Sequence, residues 1–151
     1  MLIKIDDLRG PEIALLLQEH LADMRAWSPP CSVHALDLDK LRSPDITFWS
    51  VYSDSVLMGC GALKALDATH GEIKSMRTAA AHRGQGVAAA MLAHIVQTAV
   101  ERGYTRLSLE TGPQDQFAPA RALYSGFGFI ECDAFGDYQP DTYSTFMTRS
   151  L

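Results

Sequence analysis

The stretch Glu72-Ile-Lys-Ser-Met-Arg-Thr-Ala-Ala-Ala-His-Arg-Gly-Gln-Gly-Val-Ala88 carries the strongest topological signal in this chain. Its first seven residues read as a strand, its middle as a connection, and its last six as the opening of a helix. Gly84 and Gly86 let the backbone turn tightly and approach a ligand with no Cβ in the way. A helix starting here presents unpaired N–H groups, and its dipole favours an anion. A strand that feeds directly into such a turn offers a seat for a pyrophosphate.

The flanking pattern is regular. Towards the N-terminus, Leu2–Ile5 reads as a short strand, and Pro11 opens a helix to about Arg25 with Ile13, Leu16, Leu17, Leu21 and Met24 on one face. Paired prolines make 26–32 a loop, and a short helix is expected around Asp37–Arg42. Ile46–Tyr52 and Val56–Leu66, separated by Ser53-Asp54-Ser55, form a hairpin pattern. Towards the C-terminus, a long helix is predicted from about Gly84 to Arg102, stopped by Gly103. A strand at Arg106–Thr111, a helix at about Phe117–Tyr124 and strands at Phe129–Cys132 and Ser144–Thr148 complete the chain. The order βααβββαβαββ places hairpins before βαβ units, which is a mixed α/β sheet. No linker divides residues 1–151, so a single domain is expected.

Bulk composition narrows the class. With 47% apolar and 21% charged residues, the chain reads as an ordinary globular protein. A net charge of −5 points away from nucleic acid and anionic membrane as partners. No apolar run approaches the roughly 20 residues of a membrane span. Met1-Leu-Ile-Lys-Ile5 is too short and too quickly polar for a signal peptide, so a cytoplasmic location is expected. The three cysteines, Cys31, Cys60 and Cys132, are neither a disulfide framework nor a zinc site, and no metal is expected.

Taken alone, the Arg83–Ala88 loop admits three readings. Glycines at a helix start are common with no ligand at all. Gly84-x-Gly86-x-x-Ala89 also matches a relaxed dinucleotide fingerprint, with Glu110 at the end of the next strand. Finally, Arg83-x-x-Gly86-x-Ala88 fits a CoA-binding loop. A Walker loop is excluded, because no Gly precedes Lys-Ser/Thr.

A second segment, Ala120-Arg-Ala-Leu-Tyr124-Ser-Gly-Phe-Gly128-Phe129, breaks the tie. With Glu72–Thr78 and the loop before it, this segment resembles the paired signatures of the GCN5-related N-acetyltransferase (GNAT) family, in order and separation. The likeness covers residues 46–132 by motif and the rest by element order. It implies a central mixed, mostly antiparallel sheet flanked by helices, and an enzyme that moves acetyl from acetyl-CoA to a primary amine of a small molecule or peptide. The resemblance further implies direct transfer in a ternary complex, without a metal. One departure is Phe117, where that family often has Asn.

The resemblance also assigns roles. The cofactor side comprises the backbones of Met76 and Thr78 and the loop Arg83, Gly84, Gln85, Gly86, Val87 and Ala88. Tyr124 is the expected acid for the CoA thiolate, since a phenol of pKa near 10 suits protonation of an alkyl thiolate. Glu72 is the expected base. If their strands are parallel neighbours, Glu72 and Glu110 fall at opposite ends, which leaves Glu110 to the substrate pocket. Ser32, His34, Arg77, Asp137 and Tyr138 are the other expected acceptor-side residues. Lys74 and Arg77 should lie on opposite faces of their strand, and a cation facing the acceptor suits a carboxylate-bearing substrate. A homodimer is compatible with this reading. Two other functions stand beside it: a non-catalytic acyl-CoA-binding module and, more remotely, a dinucleotide-dependent oxidoreductase.

Overall fold

Strand pairing organises the computed structural model, which describes residues 1–33 and 37–151. The elements are β1 (Leu2–Ile5), α1 (Pro11–Trp27), α2 (Leu38–Leu41), β2 (Ile46–Ser53), β3 (Val56–Ala65), β4 (His70–Thr78), α3 (Val87–Glu101), β5 (Arg106–Thr111), α4 (Ala118–Gly126), β6 (Ile130–Cys132) and β7 (Thr145–Ser150). They build one seven-stranded sheet in the order β1-β2-β3-β4-β5-β7-β6. Every neighbouring pair is antiparallel except β4 and β5, which are joined by the α3 crossover. The expected mixed, mostly antiparallel sheet flanked by helices is therefore the observed one. No described helix is long and apolar enough to cross a membrane.

Side-chain alternation on the strands creates two cores. Phe48 faces α1 and α2, where it packs with Leu8, Ile13, Leu16, Leu41, Cys60 and Ala62. Its neighbours Trp49 and Val51 belong to the other core, with Leu107, Leu109 and the apolar stripe Val87, Met91, Leu92 and Ile95 of α3. At about 1.5–3 kcal/mol for each large apolar side chain buried, these two layers dominate the stability.

Helix α3 starts later than its sequence predicts. Gly84 and Gly86 have φ of +76° and +80°, left-handed values that cannot continue a right-handed helix, so the first helical residue is Val87 and not Gly84. Its end is as expected. Gly103 sits at φ +82°, with Gly103 N–H donating to Val100 and Tyr104 N–H to Ala99, both at 3.0 Å.

Two irregularities in β4 shape the cleft beside it. Opposite Gly61 of β3, β4 carries an extra residue: Cys60 pairs with Arg77 and Ala62 with Lys74, leaving Ser75 and Met76 together in a bulge. Ser75 adopts φ +55°, an unusual value for a residue with a side chain. Gly61 admits no Cβ, which would lie 2.7 Å from Met91 and 2.8 Å from the Met76 sulfur. The bulge also corrects the expected placement of the two cations. Their β3 partners are two residues apart, so Lys74 and Arg77 share the face turned towards α1.

The second irregularity is a parting of strands. β4 and β5 pair only from His70–Arg106 to Ile73–Leu109, although β4 runs on to Thr78 and β5 to Thr111. Beyond that point they diverge, and a cleft opens between them.

Candidate active site

The cleft that begins where β4 and β5 separate has a volume of about 680 Å³ and passes from one side of the sheet to the other. On the α3 side its walls are Met76 and Thr78 of β4, Arg83, Gly84 and Gly86 of the glycine turn, Val87 and Ala88 of α3, and Leu123 and Tyr124 of α4. A Cβ built on Gly84 or Gly86 would meet nothing within 4 Å, so the turn is open. An unpaired strand edge running into a helix N-terminus suits a ligand with amide groups along its length and an anion at its end. Gln85 is exposed and does not line the cleft.

On the α1 side, Met24 and Trp27 of α1, Ser32 beyond it, Glu72, Lys74 and Arg77 of β4, Glu110 of β5, and Tyr138 and Tyr143 of the β6–β7 connection form the walls. Of the expected acceptor-side residues, Ser32, Arg77, Glu110 and Tyr138 come together here. Asp137 is exposed and does not line the cleft. His34 lies outside the described residues.

Glu72 is buried and is paired through one of its oxygens. Its Oε2 accepts from the Tyr138 hydroxyl at 2.5 Å and from the Lys74 ammonium at 3.1 Å, and that ammonium also donates to Tyr138 at 3.0 Å. Tyr138 is held by rings on either side: Phe135 at 5.2 Å and Phe146 at 5.4 Å between centroids. Burial and the Glu72 charge keep its phenol protonated.

Glu110 is in a different state. Burial pushes its carboxyl up to about 7, and the charges of Glu72 and Asp141 add to the rise. The Ser144 hydroxyl and the Lys74 ammonium oppose it. The expectation that Glu72 and Glu110 lie at opposite ends does not hold. Glu72 is in register with Ser108, two residues before Glu110, so both carboxylates line one face of the same cleft and feel each other's charge.

Tyr124 lies on α4 where the two halves of the cleft meet. Its ring is buried edge-on against Phe129, with centroids 6.0 Å apart, and burial together with the Glu110 charge raises its pKa. Arg77 spans from the sheet to α1, with Nη2 at 2.8 Å from Glu19 and 2.6 Å from Asp23. Beside it, burial and the Arg77 charge push His20 down to about 4, so its imidazole is neutral at pH 7.

Four contacts join the loops around the opening. Ser32 donates to Asp141 at 2.5 Å. Gln114, in the β5–α4 connection, donates to the Trp27 carbonyl at 3.0 Å and to the Ser28 hydroxyl at 3.1 Å. Phe117 meets Trp27 edge to face at 5.5 Å, so the departure at Phe117 supplies an aromatic wall.

Sequence reasoning overlooked His20, Met24 and Trp27. The signal was present, since residues 20, 24 and 27 form one helical stripe that runs on past the core-facing Ile13 and Leu16. Asp141 and Tyr143 carried no such signal, because an irregular loop has no period.

The sequence profile described as acetyltransferase (GNAT) family matches residues 13–129. The chain is 57% identical over 151 residues to the uncharacterized N-acetyltransferase YsnE of Bacillus subtilis (strain 168), with both chains covered completely. It is 36% identical over 137 residues to the IAA acetyltransferase of Azospirillum brasilense, covering 89% of this chain and 86% of that one. Among solved structures, a GNAT family acetyltransferase from Elizabethkingia anophelis with acetyl-CoA bound has the same fold, with a TM-score of 0.73 at 18% identity, covering 99% of this chain and 97% of that chain.

Proposed function

The chain belongs to the acetyltransferase (GNAT) family of N-acetyltransferases, and on that basis we propose that it transfers acetyl from acetyl-CoA directly to a primary amine held on the α1 side of the cleft. The observation that carries this reading is the parting of β4 and β5 beyond Ile73 and Leu109. It opens a single passage with an anion-accepting turn at one mouth and a partly buried carboxyl at the other.

In this reading the glycine turn and the first residues of α3 take the pyrophosphate, with Arg83 and Gln85 at its rim. The backbone groups of Met76 and Thr78 pair with the pantetheine amides in place of the missing strand. The Met76 N–H serves the oxyanion, where a preorganised donor stabilises developing charge. As the amine attacks, a C–N bond forms and the C–S bond breaks. Glu110 first takes a proton from the ammonium and frees the lone pair that attacks; the sulfur then takes a proton from Tyr124, whose phenol is restored by the second proton leaving the nitrogen.

Glu110 displaces Glu72 from the role of base for two physical reasons. A general base is most effective with a pKa near the working pH, and burial sets Glu110 at about 7. Glu72 is committed to Tyr138 and Lys74. Burial keeps the Tyr124 phenol protonated until it is needed, and the same desolvation makes the departing thiolate more basic.

The acceptor in this reading is a cationic amine on an apolar or aromatic body, without a carboxylate. Among the described residues, both cations on the α1 side of the cleft already have counterions: Lys74 has Glu72, and Arg77 has Glu19 and Asp23. Trp27, Phe117 and Tyr143 offer ring surface to the substrate body and its positive charge.

Thiol release from acetyl-CoA across a panel of amines tests the proposal. Turnover with arylalkyl or alkyl amines, and much less with the matching amino acids, is the expected result. Acetyl-CoA binding with no thiol release from any amine would indicate a binding module instead. Binding of NAD without binding of acetyl-CoA would overturn the placement of the donor.

A further inference from the structure

Lys74 and Glu110 are the first residues past the last register pair, Ile73–Leu109, where the two strands begin to part, and the Lys74 charge still reaches the Glu110 carboxyl. Opposite charges so placed ordinarily pair. Here the ammonium turns back along its own strand, and among the described residues its carboxylate partner is Glu72. The arrangement is a closed triangle, because Tyr138 bonds to both members. Both charged side chains are nearly removed from water, at 9% and 4% exposure. A buried ion pair of this kind seldom adds net stability over apolar packing, so another reason for keeping it is wanted.

Resting on Glu110 as the base, we propose that Glu72 is a positioning residue: with Tyr138 it holds the Lys74 ammonium away from Glu110, so that Glu110 remains basic enough to take the proton of the acceptor amine. An ammonium within about 4–6 Å lowers a carboxyl pKa by about 1–3 units. A base weakened that far is fully ionised at pH 7 but takes up a proton poorly. The other groups facing Glu110 among the described residues are Glu72 on β4, Tyr138, Asp141 and Ser144 on the β6–β7 connection, and Tyr124 on α4. Among these described residues Lys74 is the one cation, and its direction is therefore the adjustable quantity. The carboxyl value of about 7 agrees with an ammonium held off.

The test compares pH profiles of kcat/KM with the carboxyl titration of Glu110 followed by carbon NMR in the ligand-free full chain. In Glu72→Gln the ammonium loses its counterion and turns to Glu110. The acid limb and the NMR midpoint should then both fall by about one pH unit, part of it from loss of the Glu72 charge itself and the rest, shared by Tyr138→Phe, from the ammonium, and the plateau rate should drop several-fold. Adding Lys74→Met to that variant should return both midpoints towards the wild-type position. Tyr138→Phe keeps both charges, which guards against a folding failure of Glu72→Gln, and should move the midpoints in the same direction by less. Unmoved midpoints in Glu72→Gln and Tyr138→Phe, or no return with Lys74→Met, would overturn the positioning role. Glu110→Gln tests the underlying reading separately. If its acid limb persists while that of Glu72→Gln disappears, Glu72 is itself the base and both proposals fall.

Discussion

Arg77 of β4 reaches Asp23 of α1 at 2.6 Å, tying the bulged strand to the helix that carries Met24 and Trp27 into the cleft. Glu19 completes the clasp at 2.8 Å. The guanidinium is buried while both carboxylates are partly exposed, so solvent screens part of the interaction.

Asp23→Asn should therefore lower stability by about 1–2 kcal/mol, less than the roughly 3–5 kcal/mol for breaking a fully buried pair. Its larger effect should fall on the acceptor, through a raised KM for the amine with little change in acetyl-CoA affinity. Chemical denaturation and steady-state kinetics on the same preparation check both parts. Equal losses of affinity for donor and acceptor would mean that α1 does not position the acceptor.

Glu110→Gln should cut kcat by at least about 10²-fold, the lower end of what a general base supplies, and should stabilise the protein above neutral pH. The sign comes from the carboxyl being raised in the folded state, from about 4.5 to about 7. The stability it allows is complete below the unfolded value and is lost as pH rises through 7. At pH 8 the variant should exceed the wild type by on the order of 2–3 kcal/mol at most, and by pH 4 the gain should vanish. His20 acts in the opposite sense, since its depressed value removes stability as pH falls from about 6.5 to 4. It is common to both proteins, however, and cancels in the difference. Paired urea titrations from pH 4 to 8 read that difference.

Tyr124→Phe should reduce kcat by roughly 10²-fold, while acetyl-CoA binding measured by calorimetry stays within about twofold. The buried ring and its edge contact with Phe129 are retained, so the fold should tolerate the change. A variant with full turnover would release Tyr124 from the role of acid.

Gly86→Ala is informative because the two possible costs separate. A Cβ there has open space, so no neighbour is displaced, but φ +80° strains any residue other than glycine by about 1–2 kcal/mol. The thermal midpoint should fall modestly. Affinity for CoA should fall at least about tenfold if the turn closes on phosphate, as expected for an anion bound by backbone groups. CoA affinity equal to that of the wild type would place the pyrophosphate elsewhere.

Much of this site was legible in the linear chain, and the reason is locality. The glycine turn, the helix it opens and the Ala120–Phe129 signature depend on neighbours within a few residues, and so do the periods that mark α1, the β2–β3 hairpin and β5. Even the error at the start of α3 is a local one. Glycine permits both helical and left-handed backbone, and residue type alone does not choose between them.

What remained hidden depends on partners far along the chain. The bulge at Ser75–Met76 lies opposite Gly61, whose missing Cβ leaves room for the side chains of Met76 and Met91. One extra residue reverses the alternation beyond it, which is why Lys74 and Arg77 share a face against expectation. Likewise, the roles of the two carboxylates turn on the parallel register of β4 with β5 and on Tyr138, 66 residues beyond Glu72.

Family, element order and the glycine turn ahead of α3 could all be read from the linear chain, because each is written in short-range pattern and backbone chemistry. Folding was needed to show which carboxyl is paired with a counterion and which is pushed up by burial. Burial and charge partners set a pKa, and both exist only once distant segments have come together.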